Sequence, residues 1–229
     1  MKANINICTK TMLVLFCFFA VNTVSAKDDP PETTLDGLVL VKDRKVDLAY
    51  ALPGADLSGY SKVIVLEAHI AFIKNWQRDQ NRSRISGRVS DKDMQRMISR
   101  GKDLFAHVFT DVLEENGYPV VNDAGADVLL VRPAIINLDV TVPDTQTAGR
   151  SYTWSASAGQ ATLYVELYDS VTGQILARAS DRKVDRNTSL RWTMSRSSVS
   201  NTADATRALK HWAGLLVKAL DNAKENGAD

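Results

Sequence analysis

The sequence predicts a single α/β domain, in which a mixed and mostly antiparallel sheet carries two main amphipathic helices. Three observations predict this class. Several apolar stretches have a two-residue period, two longer stretches have apolar residues at helical spacing, and two strands flank a hairpin motif. We expect the domain to span 37–225, after a polar, flexible lead-in at 27–36 and before a short tail at 226–229.

The first strands are expected directly after the lead-in. Two short extended pieces are predicted at 37–42 and 45–51, followed by the turn cluster LPGADLSGY. Residues 62–72, KVIVLEAHIAF, then have the pattern of the first clear strand, because apolar side chains from Ile64 to Phe72 recur at every second position. We therefore predict one continuous strand there.

A long helix is predicted over Asp91–Asn116. Ser90 precedes it in the position and with the residue type of an N-cap, and apolar residues recur at helical spacing along its length. Asn116 and Gly117 supply the left-handed turn that commonly ends a helix. Its apolar face requires a sheet to pack on, since an isolated amphipathic helix gains too little to offset its ordering entropy.

The second half of the chain predicts more strands and a closing helix. A short strand is expected at 118–121 and a long one over Asp127–Val142, with a bulge or bend at Pro133. The stretches QATLYVELYD and QILARASDRKVD, joined by DSVTG, predict an antiparallel hairpin. The last helix is expected to begin after Asn201 or Thr202 and to bury Trp212.

The first 26 residues have the pattern of a cleaved secretory signal peptide. A positive start is followed by the short apolar run MLVLFCFFAV and by small residues that end at Ala26. This predicts export to the periplasm, and it leaves 203 of the 229 residues in the mature chain. Both cysteines, Cys8 and Cys17, lie in the removed segment, so the mature chain would form no disulfide.

The charge of the mature chain argues against a nucleic-acid partner. Residues 1–26 hold two lysines and no acid, so the rest has 26 basic and 27 acidic residues, a net charge of −1. A nucleic-acid-binding domain usually shows a basic surplus. Binding of an anion would therefore depend on a local basic patch.

Few residue patterns in this chain suggest catalysis. Glu67 and His69 are two apart on the predicted strand and would share a face, where a carboxylate and an imidazole could do acid–base work or hold a metal. A solvated strand edge is the alternative interpretation. The three histidines do not have metal-ligand spacing, and no motif for a nucleophile or a phosphate is present. We expect neither a metal nor a cofactor.

The stretch KNWQRDQNRSRISGR, residues 74–88, suggests a binding surface instead. It is predicted as a long basic loop, and two other polar loops also place tryptophan or tyrosine beside arginine. The candidate partner-binding residues are Trp76, Arg78, Arg82, Arg84, Arg88, Arg150, Tyr152 and Trp154, with Arg191, Trp192 and Arg196 in a similar setting. Each tryptophan could instead fold back to cover the domain's own core.

Several landmarks make the chain resemble a known family. They are YALPGADLSGYSKVIV, FTDVLEENGYPVVNDAGADVLLVRPAIINLD, ATLYVELYDSVTGQILARASDR and ALKHWAGLLVKAL. In their order and spread they are similar to the uncharacterised bacterial envelope family called domain of unknown function 3313, in which members are secreted proteins or lipoproteins. Here Phe16 precedes Cys17, where lipid attachment requires a small residue, so the resemblance does not extend to a lipid anchor. A looser, fold-level likeness is to small envelope lipoproteins that assist secretion or peptidoglycan synthesis.

Three functions follow as hypotheses. The first is a non-enzymatic binding or scaffold module of the periplasm, whose partner is an envelope protein or an anionic envelope polymer. The second is an envelope hydrolase that uses Glu67 and His69. The third is a peripheral protein held on anionic lipid by the basic loop, an attraction that salt would screen.

Overall fold

The computed structural model describes residues 29–42, 44–83, 88–140, 160–184 and 198–226. The chain divides into residues 1–30 and a compact unit that begins at Pro31. The predicted signal peptide at 1–26 lies outside the described residues.

Seven strands of the described chain form one mixed sheet, which confirms the predicted α/β class. The strands are β1 (Val39–Leu40), β2 (Leu48–Ala51), β3 (Lys62–Val65), β4 (His69–Phe72), β5 (Val128–Asp139), β6 (Gln160–Asp169) and β7 (Ile175–Val184). Their order is β1-β2-β7-β6-β5-β3, and β4 pairs with β5 beyond the end of β3. Only β3 and β4 run parallel to β5, and every other pair is antiparallel.

The predicted hairpin is confirmed at β6 and β7. Asp169 Oδ1 accepts hydrogen bonds from the backbone N–H of Val171 and of Thr172, at 3.1 and 2.7 Å. Gly173 follows with a φ of 70°, a left-handed conformation that glycine adopts without a steric penalty. The turn therefore sets the register of the two central strands.

Three helices are described: α1 (Trp76–Ser83), α2 (Asp91–Glu115) and α3 (Ser198–Asn226). The predicted cap of α2 is confirmed as a capping box, in which the side chains of Ser90 and Asp93 each accept a hydrogen bond from the other's backbone N–H.

The predicted start of α3 is wrong, because the helix begins at Ser198, before Asn201 and Thr202. Several residues that are favoured as N-caps follow closely on one another there, and residue preference does not tell which of them caps the helix. Among these helices, none combines the length and the apolar character that a membrane span requires.

The predicted continuous strand at 62–72 is wrong, because residues 66–68 interrupt it. Val65 lies opposite Val131 and His69 opposite Ala134, so this edge of the sheet contains one residue more than β5. Such a bulge reverses the faces of the residues that follow. Val63 is buried before the bulge and Ala68 and Ile70 are buried after it, so Leu66 is exposed although the alternation predicted it to be buried.

The sequence predicted a bulge or a bend at Pro133, and the register along β5 breaks in two places: beside Arg132 and Pro133 on the side of β3 and β4, and around Asn137. Pro133 is in register opposite Val165, whereas both pairings of β5 shift register around Asn137. Asn137 has a φ of 53°, in the left-handed region that asparagine tolerates better than most residues. The predicted strand at 118–121 is also wrong, since it reduces to a single bridge between Val63 and Val120.

The segment 74–90, predicted as a loop, contains α1. An eight-residue helix is marginal by itself, and this one lacks an apolar stripe, so tertiary contacts must stabilise it. Gln77 and Asn81 donate side-chain hydrogen bonds to the Val89 carbonyl at 3.1 and 3.0 Å, and Asn81 accepts one from the Val89 N–H at 2.7 Å. Hydrophobic periodicity does not predict polar contacts of this kind, so the helix was missed.

The core lies on one face of the sheet. Apolar residues of all three helices pack in two clusters whose β6 members are Ala161, Leu163, Val165 and Leu167. Side chains alternate along a strand, so Thr162, Tyr164, Glu166 and Tyr168 lie on the other face. We call this second face, with the residues paired beside these four, the outer face.

Candidate functional site

Trp76 lies inside the core and not on an exposed surface. Its side chain is 2% exposed and its ring stacks on Phe72 with centroids 4.4 Å apart. Its indole Nε1 donates a hydrogen bond of 3.0 Å to the carbonyl of Val140. The interpretation of Trp76 as an exposed contact residue is therefore wrong, and the alternative, that it pins its segment, is confirmed.

The basic residues around α1 remain exposed, but the structure brings few of them together with other candidates. Arg78 pairs with its neighbour Asp79 at 3.1 Å, and Arg82 and Arg88 are exposed. The remaining candidates, Arg84, Arg150, Tyr152 and Trp154, lie outside the described residues, as do Arg191, Trp192 and Arg196. A joint basic and aromatic surface built from these segments stays a prediction.

Glu67 lies within the interruption at 66–68 and His69 is the first residue of β4, and both are exposed. The Glu67 side chain is 74% exposed and forms a salt bridge with Lys102 of α2. The geometry therefore gives the hydrolase hypothesis no support, and it stays a prediction.

The outer face holds a cluster that sequence reasoning missed, centred on Glu166 in the middle of β6. Arg132 of β5 and Arg178 of β7 lie directly opposite Glu166, one on each side. Tyr164 and Tyr168 precede and follow Glu166 by two residues on the same face. Strand register alone thus places one carboxylate among two guanidinium groups and two phenols.

The four neighbours all donate to the Glu166 carboxylate, which is 8% exposed. Tyr164 Oη donates to Oε1 at 2.8 Å, and Tyr168 Oη to Oε2 at 2.7 Å. Arg178 Nε donates to Oε1 at 3.1 Å, and Arg132 Nη1 approaches Oε2 at 3.5 Å. A shielded charge is tolerated only when it is paired and hydrogen-bonded in this way.

The pKa values within the cluster follow from these contacts. Burial by itself would raise the pKa of Glu166, but hydrogen bonds from Tyr168, Tyr164 and Arg178 outweigh burial and hold this pKa below its ordinary value. Burial and the bond to Glu166 raise the pKa of Tyr164 to about 12 and also raise the pKa of Tyr168. Near neutral pH, Glu166 is therefore charged and both phenols keep their protons.

A second carboxylate reaches Arg178 from outside the sheet. Asp36 Oδ2 lies 2.5 Å from Arg178 Nη2, and Asp36 Oδ1 lies 3.3 Å from Nη1. The hydrogen bond from Arg178 lowers the pKa of Asp36, and the same bond raises the pKa of Arg178. The chain Arg132–Glu166–Arg178–Asp36 thus crosses three strands and ends on the segment before β1.

The cluster is suited to holding side chains in place for contact. Both oxygens of Glu166 already accept hydrogen bonds, so this carboxylate positions its donors and has little capacity left to accept a proton from a substrate. Arg132 is 65% exposed although one of its nitrogens faces Glu166. Among the described residues, no three His, Cys, Asp or Glu side chains are grouped so that they could hold a metal ion.

One pattern in the sequence could have found the cluster. The stretch TLYVELYD places tyrosine, glutamate and tyrosine at alternate positions of a predicted strand. Arg132 is an isolated charge inside an apolar strand, whereas Arg178 lies between two alanines in a strand that also carries Asp181, Arg182 and Lys183. Only the pairing register shows that both arginines lie opposite Glu166.

The fold and the site define a one-domain α/β protein with helices on one face of a mixed sheet and an ordered polar and aromatic cluster on the other. The chain belongs to the family described as protein of unknown function (DUF3313), whose model matches residues 36–216. This match confirms the resemblance that the landmarks indicated. A comparison with the curated proteins gives no match.

Solved structures give weak likenesses. A PelC dodecamer from Paraburkholderia phytofirmans is 12% identical, with a TM-score of 0.31, over 71% of this chain and 96% of that one. A DUF4136 family protein from Bacteroides thetaiotaomicron is also 12% identical, with a TM-score of 0.35, over 82% of this chain and 97% of that one. Likenesses at these TM-scores carry no argument about fold or function.

Proposed function

We propose that this chain is an exported, non-enzymatic binding module of the bacterial cell envelope, and that it contacts another envelope protein through its outer face. Export is supported by the signal-peptide pattern at 1–26, from which a periplasmic location follows. A role in the envelope is what the family resemblance implies.

The observation that carries the binding role is the Glu166 cluster. Arginine and tyrosine are the residues most enriched in the energetic centres of protein interfaces. Here Arg132, Tyr164, Tyr168 and Arg178 are held by one shared acceptor, so less side-chain entropy remains to be lost when a partner binds. A sheet that needed only to fold could place apolar or simple polar residues on this face.

A protein fits this face better than an anionic polymer does. Arg132, Arg178 and Arg182 on the face are opposed by Glu166 and Asp36, so positive and negative groups are interleaved. A polyanion is normally bound by a surface of one sign. Mixed charge with half-buried aromatic rings is typical of protein interfaces.

Site-specific photo-crosslinking in intact cells tests this proposal. Replacement of the exposed Arg132 by a photoreactive phenylalanine should give discrete adducts of higher mass. Replacement of the exposed Lys218, on α3, is the matched control and should give none. Absence of adducts at 132, or the same adducts at both positions, would contradict binding through the outer face.

Export has its own test. A fusion of the whole chain to a phosphatase that is active only after disulfide formation should be active in cells. The same fusion without residues 1–26 should be inactive. Activity of both fusions, or of neither, would contradict the predicted route.

A further inference from the structure

The Arg178 guanidinium contacts two carboxylates, and it holds that of Asp36 in the way that arginine holds a bound carboxylate ligand. Its Nε donates to Glu166, while Nη1 and Nη2 face the two oxygens of Asp36 at 3.3 and 2.5 Å. Two-point contact between guanidinium and carboxylate is the geometry by which arginine recognises acidic groups. Glu166 belongs to the sheet, whereas Asp36 does not.

Asp36 lies at the tip of a small hairpin between Thr33 and Val39, which form a bridge. The tip is held from within: the Gly37 N–H donates to the Thr34 carbonyl at 3.0 Å, and the Leu38 N–H donates to Thr34 Oγ1 at 3.1 Å. Because these bonds are local, the tip can keep its shape without its contact to Arg178.

The hairpin is anchored at its base, where Leu38 is fully buried, and less firmly at its tip. The Asp36 side chain is 37% exposed, and an exposed ion pair contributes only weakly to stability. The adjacent Leu35 is fully exposed, so no apolar contact supports the tip there. Pro31, earlier in the segment, accepts a hydrogen bond of 3.1 Å from the Tyr50 hydroxyl. A competing carboxylate at Arg178 would therefore have to replace only the ion pair with Asp36, and the anchored base of the hairpin could stay in place.

The charge of the outer face also favours an acidic occupant. With Asp36 in place, Arg178 faces two carboxylates, those of Glu166 and Asp36, and Arg132 shares Glu166 with it. With Asp36 withdrawn, Glu166 would be the one described carboxylate still in contact with Arg178, and all donors to Glu166 would remain bonded. A carboxylate from a partner would restore the balance at Arg178.

We propose that Arg178 is a carboxylate subsite, which Asp36 occupies in the free protein, and that an acidic residue in an extended segment of the partner protein replaces Asp36 there. The inference rests on the proposed function, because it names the chemistry of the partner at the outer face. The hairpin supplies an example of the ligand: a single carboxylate beside an aliphatic side chain, in the order Leu-Asp-Gly.

The test uses a labelled synthetic peptide with the sequence of residues 31–39, PETTLDGLV, with both ends blocked, and the same peptide with asparagine in place of aspartate. Binding to the full chain is followed by fluorescence anisotropy. Asp36→Asn should bind the aspartate peptide about tenfold more tightly than the wild type does, because the internal competitor is removed. Asp103→Asn, the same charge change on the exposed side of α2, should leave binding unchanged.

Two further comparisons make the result specific. The asparagine peptide should not gain affinity on any variant. Asp36→Asn combined with Arg178→Lys should lose the gain, because lysine keeps the charge but cannot make the two-point contact. The Nε–Hε resonance of Arg178 should shift when the aspartate peptide binds to Asp36→Asn, a readout that does not depend on stability.

Equal binding to the wild type and to Asp36→Asn, or no binding to either while the Arg178 resonance stays fixed, would overturn the carboxylate subsite. If crosslinks from position 132 persist in that case, the proposed binding face stands and only the acidic ligand fails. If those crosslinks are absent as well, both the carboxylate subsite and the proposed function fail.

Discussion

The indole nitrogen of Trp76 donates a hydrogen bond of 3.0 Å to the carbonyl of Val140, joining the start of α1 to the residue directly after β5. This bond, with the stacking on Phe72, fixes the start of α1 to the core. Arg78 and Arg82 therefore lie on an anchored helix and not on a loose loop.

Truncation of Trp76 should destabilise the fold strongly. Trp76→Ala removes a buried ring and should cost about 3–5 kcal/mol in the free energy of unfolding. Trp76→Phe keeps a ring but leaves the Val140 carbonyl without its donor, at a cost of about 1–3 kcal/mol. Urea unfolding measures both, and Arg82→Ala on the same helix is the control, with a change of about 0.5 kcal/mol or less. Equal stability of all three variants would contradict an anchoring role.

Neutralising Glu166 should weaken the outer-face cluster without changing its shape. Glu166→Gln replaces a charged acceptor of several hydrogen bonds and should lower the free energy of unfolding by about 1–3 kcal/mol. A double-mutant cycle with Tyr168→Phe should give a coupling of about 0.5–3 kcal/mol, because the two side chains share a bond. Glu115→Gln, on the exposed end of α2, is the matched control. Strict additivity would mean that Tyr168 and Glu166 do not interact in solution.

The stability due to Glu166 should depend on pH with a definite sign. Its pKa is lower in the folded protein than the unfolded value of about 4.3, so its contribution is complete above that value and is lost as pH falls through the folded pKa. The difference in unfolding free energy between the wild type and Glu166→Gln should therefore shrink as the pH falls below about 4.3. Urea titrations at several pH values measure it, and a difference that stays constant or grows on acidification would contradict the assigned shift.

Asn137 should tolerate glycine and reject branched residues. Its φ of 53° is strained for most side chains, so Asn137→Val should cost about 1–3 kcal/mol. Asn137→Gly should be close to neutral, because glycine adopts this region freely. The exposed Asn122→Val outside the sheet is a control for the side-chain change itself. If valine and glycine proved equivalent at 137, the bulge would not depend on this residue.

The candidate site could be predicted only in part from the sequence. The basic character of 74–88 was evident, but the direction of Trp76 depended on a carbonyl that is 64 residues away in the chain. The residues of the Glu166 cluster belong to three predicted strands, yet Arg132 and Arg178 become neighbours of Glu166 only through the pairing register. Sequence patterns report which face a residue occupies, and they do not report which residue lies opposite.

The sequence by itself determined the α/β class, the β6–β7 hairpin and the capped helix α2, because each depends on local chemistry: a two-residue period, a glycine with positive φ, and a reciprocal pair at Ser90 and Asp93. The tertiary structure alone decided the helix at 76–83, the bulges at 66–68 and Asn137, and the contact of Asp36 with Arg178. These features depend on partners that are distant in the chain. Their free energy is gained only when those partners meet, so no short window of sequence contains it.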